Sequence, residues 1–225
     1  MKVVALLPMK AKSERIKGKN FKDFCGKPLY RWVLDEILKC KDIETVVINT
    51  DADDLINSPN SFGEKVLIRK RPNDIRGDLV SMNLIIEDDI NNIEADIYLM
   101  THTTNPLLTC KTLETAIDKY RYLLNKKKAD SIFSVNKIQT RLYDKKAKAI
   151  NHDPANLQRT QDLEPFYEEN SNIYLFTKDS FFSTKARIGK NPAMFEMENL
   201  ESIDIDNQED WDLAALLMKK RTEDG

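Results

Sequence analysis

Apolar residues run without a break from Val3 to Leu7, which predicts a strand covered on both faces of a parallel sheet. A polar loop from Lys10 to Gly26 follows. Pro28 suits a first helical position, and Leu29, Trp32, Val33, Glu36 and Ile37 give that helix a stripe ending near Lys39. Further strands are predicted at Thr45 to Asn49, Val66 to Ile68, Ile97 to Met100, Ser131 to Val135 and Ile173 to Phe176, with a last one at Leu200 to Ile205. Helices are predicted at Ser81 to Ile93, Thr109 to Leu124 and Gln208 to Lys220. This alternation means an α/β domain with a doubly wound, mainly parallel sheet and a site at the carboxyl ends of its strands. One domain is expected over residues 1–225. The rhythm breaks from Lys137 to Asn170, a polar segment with two prolines, which predicts an inserted hairpin or arm at 137–170 rather than a sheet unit.

Composition narrows the class. With 225 residues, 41% of them hydrophobic, the chain can bury a sizeable core. Its 35 basic and 37 acidic side chains leave a formal charge of −2, so no whole-molecule field draws it to nucleic acid or an anionic membrane. No stretch approaches a membrane span and Val3 to Leu7 is too short for a signal-peptide core. Cys25, Cys40 and Cys110 lie in no paired metal spacing, which fits reduced thiols and an expected cytoplasmic location.

Two segments carry candidate chemistry. Five of the fourteen residues from Leu7 to Asn20 are Lys or Arg, in the loop after the first strand, where cationic side chains and loop N–H groups suit a polyphosphate. A merely solvated basic loop is the competing reading, and the glycine spacing excludes a Walker loop. The second segment is Ser202-Ile203-Asp204-Ile205-Asp206, where i and i+2 on a strand place Asp204 and Asp206 on one face. Such a pair suits Mg2+, which takes one or two carboxylates with phosphate and water oxygens; a strand-end and helix-capping role competes.

Several blocks in order make a more specific signal than either segment. The loop ending Lys19-Asn20, then Gly26-Lys27-Pro28-Leu29, Thr50-Asp51, Arg71-Pro72, Thr104-Asn105-Pro106-Leu107, Asn170 to Tyr174, and Ile203-Asp204-Ile205-Asp206 together resemble the acylneuraminate cytidylyltransferase family over nearly the whole chain. The resemblance implies a Rossmann-like, GT-A-like three-layer sandwich and a homodimer built through the inserted arm. It also implies magnesium-dependent transfer of CMP from CTP to the anomeric hydroxyl of a sialic-acid-like keto-sugar acid, with loss of pyrophosphate. Under it Ser13, Lys19 and Asn20 hold the triphosphate and ribose, Arg71 and the turn from Asp78 to Ser81 meet the cytosine, and Asp204 and Asp206 hold magnesium. Lys19 and Asp206 then carry the chemistry. Thr104, Asn170 and Tyr174 fall on the sugar side, and Arg141 and Arg159 are the arm's candidates for a sugar carboxylate.

The chain also departs from the family pattern. Lys10 stands where an arginine is usual, keeping the charge but not the bidentate fork. His102 replaces a typical glutamine and is a sugar-contact candidate; the following turn reads Thr103-Thr104-Asn105-Pro106, and Asn170-Ser171 replaces Asn-Gly. Kdo-type cytidylyltransferases are the related alternative, but they place a metal-binding aspartate in the turn, and no acid occurs here between Thr101 and Leu108. A GT-A glycosyltransferase would carry its Asp-x-Asp mid-chain. A non-catalytic nucleotide-binding paralogue would show no substrate-dependent pyrophosphate release.

Overall fold

The structure, a computed structural model, describes residues 1–223. Strand β1 (Val3–Leu6) leads into a long loop and a short hairpin, β2 (Asp23–Phe24) and β3 (Lys27–Pro28). Helix α1 (Leu29–Lys39), β4 (Ile43–Thr50), α2 (Asp53–Ile56), β5 (Val66–Lys70), α3 (Met82–Asn92) and β6 (Ile97–Met100) complete the first half. Then come α4 (Cys110–Asn125), β7 (Ser131–Ile138), β8 (Phe166–Phe176), α5 (Lys178–Thr184), β9 (Pro192–Glu196) and α6 (Gln208–Glu223). The seven-stranded sheet has the order β5-β4-β1-β6-β8-β7-β9, and β8 alone runs against its neighbours. This is the mainly parallel α/β sandwich that the alternation predicts.

Period-two alternation builds the layers. Val3, Ala5, Val46, Ile48, Ile97, Leu99, Ile173 and Leu175 face α1 and α4 in one core, while Val4, Leu6, Val47, Tyr98, Met100, Tyr174 and Phe176 face Ile86 and Ile90 of α3 and Phe181 of α5 in the other. The central strands are apolar on both faces because both faces are covered. A third cluster, with Ile16, Phe24, Leu29, Leu107, Ile205, Trp211, Ala214 and Met218, clamps α6 against the first loop and the β2–β3 hairpin. Ser81 and Thr109, read as helix starts, are the N-caps of α3 and α4, accepting from the N–H groups of Asn83 and Thr112.

The structure corrects several boundaries. Pro28 precedes α1 in an extended conformation (ψ 140°) instead of opening the helix. The segment from Leu200 to Ile205 is no strand: Ile205 N–H donates to Thr104 O at 2.9 Å, and the remainder is turn and extended chain. The edge strand β9 was not anticipated. The arm is not wholly outside the sheet either, since Lys137 and Ile138 pair with Tyr167 and Phe166 as an antiparallel extension of β7 and β8. Between them, residues 139–165 form an irregular excursion tied down by Gln139, whose amide donates to Gln161 O (2.9 Å) and Leu163 O (2.8 Å). His152 sits there, 2.9 Å from the Tyr143 hydroxyl.

Candidate functional site

The chain from β1 turns through α1 to β4 on one side, while β6 joins on the other, so the strand order reverses at the β1–β6 pair. Loops leaving the carboxyl ends of these strands must diverge, and the crevice between them is where such sheets bind ligands. Here the crevice has a volume of about 220 Å3, and its walls include Lys10, Ser13, Lys19, Asn20, Arg71, Asp78, His102 and Thr104. An adjoining cavity of about 310 Å3 shares Lys10, Ser13, Lys19 and Asp78 and adds Arg15 and Asp206.

Asn20 fixes the first loop. Its amide donates to Lys10 O (2.9 Å) and its carbonyl accepts from the Thr103 hydroxyl (2.7 Å), joining the loop after β1 to the loop after β6. Gly18 takes a left-handed φ of +63° ahead of the short turn Lys19–Phe21, which sends the Lys19 side chain inward. That side chain is only 12% exposed. Its ammonium donates to Ile205 O and lies 3.8 Å from Asp206 Oδ1. Burial pulls the Lys19 pKa below the ordinary lysine range, while Asp204 and Asp206 act in the opposite sense. Lys10, at the mouth, pairs with Asp78, and that bond holds the Asp78 carboxyl below its usual range.

Arg71 is buried, and most of its donors are engaged within the chain. Nε donates to Asn49 Oδ1 (3.0 Å), and Nη2 to Asn49 O (2.8 Å) and Met9 O (3.3 Å). Asn49 is held in turn by Asp88 and Asp89 of α3, both at 2.9 Å. The guanidinium is thus a fixed part of the crevice wall.

The late acidic pair is arranged differently from the strand-face expectation. Ile205 points into the α6 cluster, and Asn105 Nδ2 and Asn172 Nδ2 donate to Ile203 O (3.4 Å) and Ser202 O (3.0 Å), so the segment is pinned by side chains rather than by a ladder. Asp204 is largely enclosed and hydrogen-bonded by Thr104; burial, with Asp206 adding, raises its pKa above the usual carboxylate value. Its Oδ1 is buried without a hydrogen-bond partner among the described residues. Asp206 is exposed and pairs with Arg15 at 2.7 Å. The capping of α6 falls to Asn207 and Asp210, whose side chains accept from Asp210 N (3.0 Å) and from Asp206 N and Asn207 N (both 2.9 Å). Neither Asp204 nor Asp206 is used up as a cap. An unpartnered carboxylate oxygen beside a second carboxylate is a donor set that fits a hard divalent cation shared with phosphate oxygens.

His102 is half-buried and neutral near pH 7: burial first, then Arg187 and Lys19, push it down to about 4. Arg187 escaped the sequence reading. It lies in the loop between α5 and β9, its guanidinium 3.9 Å from the Tyr174 ring centroid and 3.7 Å from Glu169. No motif marks it, and only the pairing of β6 with β8 brings it to His102. Tyr174 itself is buried, with its hydroxyl on Glu169 and Ser171, and Asn170 bonds Ser134 and Asn136 (2.5 and 2.7 Å) across the irregular part of β7–β8.

Asn170, Tyr174 and Asp204 line neither cavity, and three further expected groups are engaged elsewhere. Ser81 is spent as the exposed N-cap of α3. Arg141 donates to Gln158 O at 2.6 Å within the arm. Arg159 is 72% exposed and pairs with Asp162 at 2.7 Å, three residues on, so within one chain neither arm arginine joins the crevice residues.

Residues 4–222 match the family model described as Cytidylyltransferase. An N-acylneuraminate cytidylyltransferase of Oncorhynchus mykiss is 28% identical over 219 residues, 94% of this chain but 49% of that protein, so the chain spans about half that relative's length. A CMP-N,N'-diacetyllegionaminic acid synthase of Legionella pneumophila is 26% identical over 238 residues, covering 99% of each chain. Among solved structures, a CMP:2-keto-3-deoxy-manno-octonic acid synthetase complexed with CTP superposes with a TM-score of 0.70 over 98% of this chain and 100% of that one; at 17% identity the likeness is one of fold.

Proposed function

The chain belongs to the cytidylyltransferase family, and we propose that it transfers CMP from CTP to the anomeric hydroxyl of a nonulosonic keto-sugar acid, releasing pyrophosphate. The observation that carries this reading is the convergence of Lys10, Ser13, Lys19 and Asn20 with Asp206 on the crevice at the strand-order reversal and the cavity adjoining it. A polyphosphate laid along the first loop meets Lys10 and Lys19 together. Arg71 and Asp78 then lie on the side open to the base, and His102 and Thr104 on the side open to the sugar.

In the reaction the anomeric oxygen attacks the α-phosphorus in line and pyrophosphate departs. Such chemistry rests on positioning and on neutralising charge as it moves to the leaving group. Lys19, half-dehydrated in its pocket, acts where its field is least screened. Asp204 and Asp206 would hold Mg2+, which when bound supplies further neutralisation of the phosphate oxygens. The ion pair of Asp206 with Arg15 must then be exchanged, which its exposure permits. Neutral His102 can donate to or accept from a sugar oxygen without a proton being lost to solvent.

The nonulosonate class is preferred to Kdo because the turn from Thr101 to Leu108 holds no acid and the acidic pair lies late in the chain. We further propose a cytoplasmic homodimer in which the arm, with Arg141 and Arg159, meets a second copy. Among the described residues no helix is long and apolar enough to cross a membrane. The test is pyrophosphate release from CTP with sialic, legionaminic, pseudaminic and Kdo acids in turn. Release that is equal with CTP and ATP, or independent of any sugar acid, refutes the assignment.

A further inference from the structure

Away from the crevice, two of the three thiols meet. Cys40 caps the C-terminal end of α1 and is fully buried; Cys110 opens α4, and Glu114 stands one turn further on the same helix face. The two sulfurs and a Glu114 carboxylate oxygen all lie within 4.8 Å of one another. We propose that Cys40, Cys110 and Glu114 form a binding site for a thiophilic divalent cation of the zinc class.

Both thiols pack with the first core and burial raises their pKa values, that of Cys110 to about 11, so a bound cation must displace their protons. The backbone N–H groups of Asp42 and Ile43 favour the Cys40 thiolate, against the larger effect of burial, and such outer partners support a metal-bound sulfur. Lys65 supplies a counter-charge. Its ammonium is anchored on Cys40 O (2.7 Å) and Leu38 O (3.0 Å) beside both thiols. Two thiolates, a carboxylate and a divalent cation sum to one negative charge, which Lys65 cancels. Tetrahedral zinc with Zn–S near 2.3 Å needs ligand atoms about 3.7 Å apart, so binding must draw atoms now within 4.8 Å of one another closer together. Water fills the fourth position. The soft donor set separates this site from the all-oxygen acidic pair of the crevice, and none of its residues lines that crevice. A cation here would tie the end of α1 to the start of α4.

The probe is Co2+ added to metal-free protein kept reduced with a phosphine, followed by displacement with Zn2+. The expected result is one sulfur-ligated Co2+ per chain, with a near-ultraviolet sulfur-to-cobalt charge-transfer band and the strong visible bands of tetrahedral cobalt, both erased by Zn2+. Cys110→Ser should abolish the charge-transfer band or weaken binding at least a hundredfold, Glu114→Gln should weaken it about tenfold, and Cys25→Ser should change nothing. Zn2+ should raise the thermal midpoint of the parent and not of Cys110→Ser. Absence of the charge-transfer band in the parent protein overturns the proposal without any variant. So does a band that survives in Cys110→Ser and Cys40→Ser variants with native circular dichroism.

Discussion

Replacing Lys19 by methionine keeps the length of the side chain and removes its charge. The Lys19 ammonium is 3.8 Å from Asp206 in a pocket where the side chain is 12% exposed. At such a separation a unit charge is worth about 4 kcal/mol at an effective dielectric of 20, a ceiling of about a thousandfold in rate. Only the part that grows as charge moves to pyrophosphate lowers kcat. Lys19→Met should therefore lower kcat/KM for CTP by roughly a hundredfold to a thousandfold, with a smaller share in KM. It also removes the donor to Ile205 O, at a stability cost of about 1 kcal/mol, so the variant should still fold. Because burial lowers the Lys19 pKa, the parent should lose activity with rising pH before an ordinary lysine would titrate, and that limb should vanish in the variant. The assay is steady-state pyrophosphate release at saturating sugar acid, with a thermal melt as the folding control. A folded Lys19→Met retaining more than about a third of the parent kcat/KM would refute the reasoning.

The acidic pair should separate by role: Asp206→Asn and Asp204→Asn are both expected to cut turnover roughly a thousandfold, yet only Asp204→Asn should leave stability equal or higher, because it removes a half-buried carboxylate with one oxygen unpartnered among the described residues; melts and rates on both variants check this. Arg71→Ala should relax discrimination of CTP from UTP, and should also lower stability by about 1–3 kcal/mol by stranding Asn49, measured by nucleotide competition and denaturant unfolding. Two buried groups give opposite acid responses. Asp89 titrates at about 6 when folded and near 3.9 unfolded, so the native state holds the extra proton and this group's contribution improves as pH falls through 6 towards 4. His102 titrates at about 4 when folded and near 6.5 unfolded, so its contribution is lost as pH falls from 6.5 to 4. His102→Gln should flatten or reverse the acid loss of stability and Asp89→Asn should steepen it; identical melting curves for both variants across pH 4 to 7 would contradict the assignment. Arg159→Ala should raise the sugar-acid KM and leave the CTP KM unchanged if the arm serves a second copy, and sedimentation of an active protein as a strict monomer would sink that model.

The parts of the fold legible in sequence are those where one physical signal acted alone. Val3 to Leu7 and Ile97 to Met100 are apolar because both sheet faces are covered, and Ile173 to Phe176 reads the same way for the same reason. Ser81 and Thr109 were readable as helix starts because capping is local. β9 was not readable: five residues opening with Pro192 and largely exposed look like loop, and proline is tolerated there because the strand lies at an edge. The arm's polarity was legible but its ends were not, since Phe166 to Glu169 pair with β7 while remaining solvent-exposed and so lack any one-sided pattern. Arg187 shows the limit most sharply. A lone arginine in a polar loop carries no signal until β6 and β8 are paired.

The Ile203-Asp204-Ile205-Asp206 alternation has the period of a strand but does not form one, and the reason bears on the chemistry. A strand would have presented both carboxylates equally. Instead the third apolar cluster holds Ile205, and a single backbone bond to Thr104 fixes the segment against the loop after β6. One carboxylate is thereby driven into the protein with an oxygen left over, and the other is left at the surface within reach of Arg15 and Lys19. Desolvation makes Asp204 costly to charge and hard to reorient, whereas Asp206 can exchange a guanidinium partner for another cation at small cost, because exposed pairs are worth about 0–1 kcal/mol. The unequal pair therefore combines a fixed donor with an exchangeable one, which a symmetric strand face would not supply. Lys19, bonded to the carbonyl between them, is the element that keeps the two in register with the first loop.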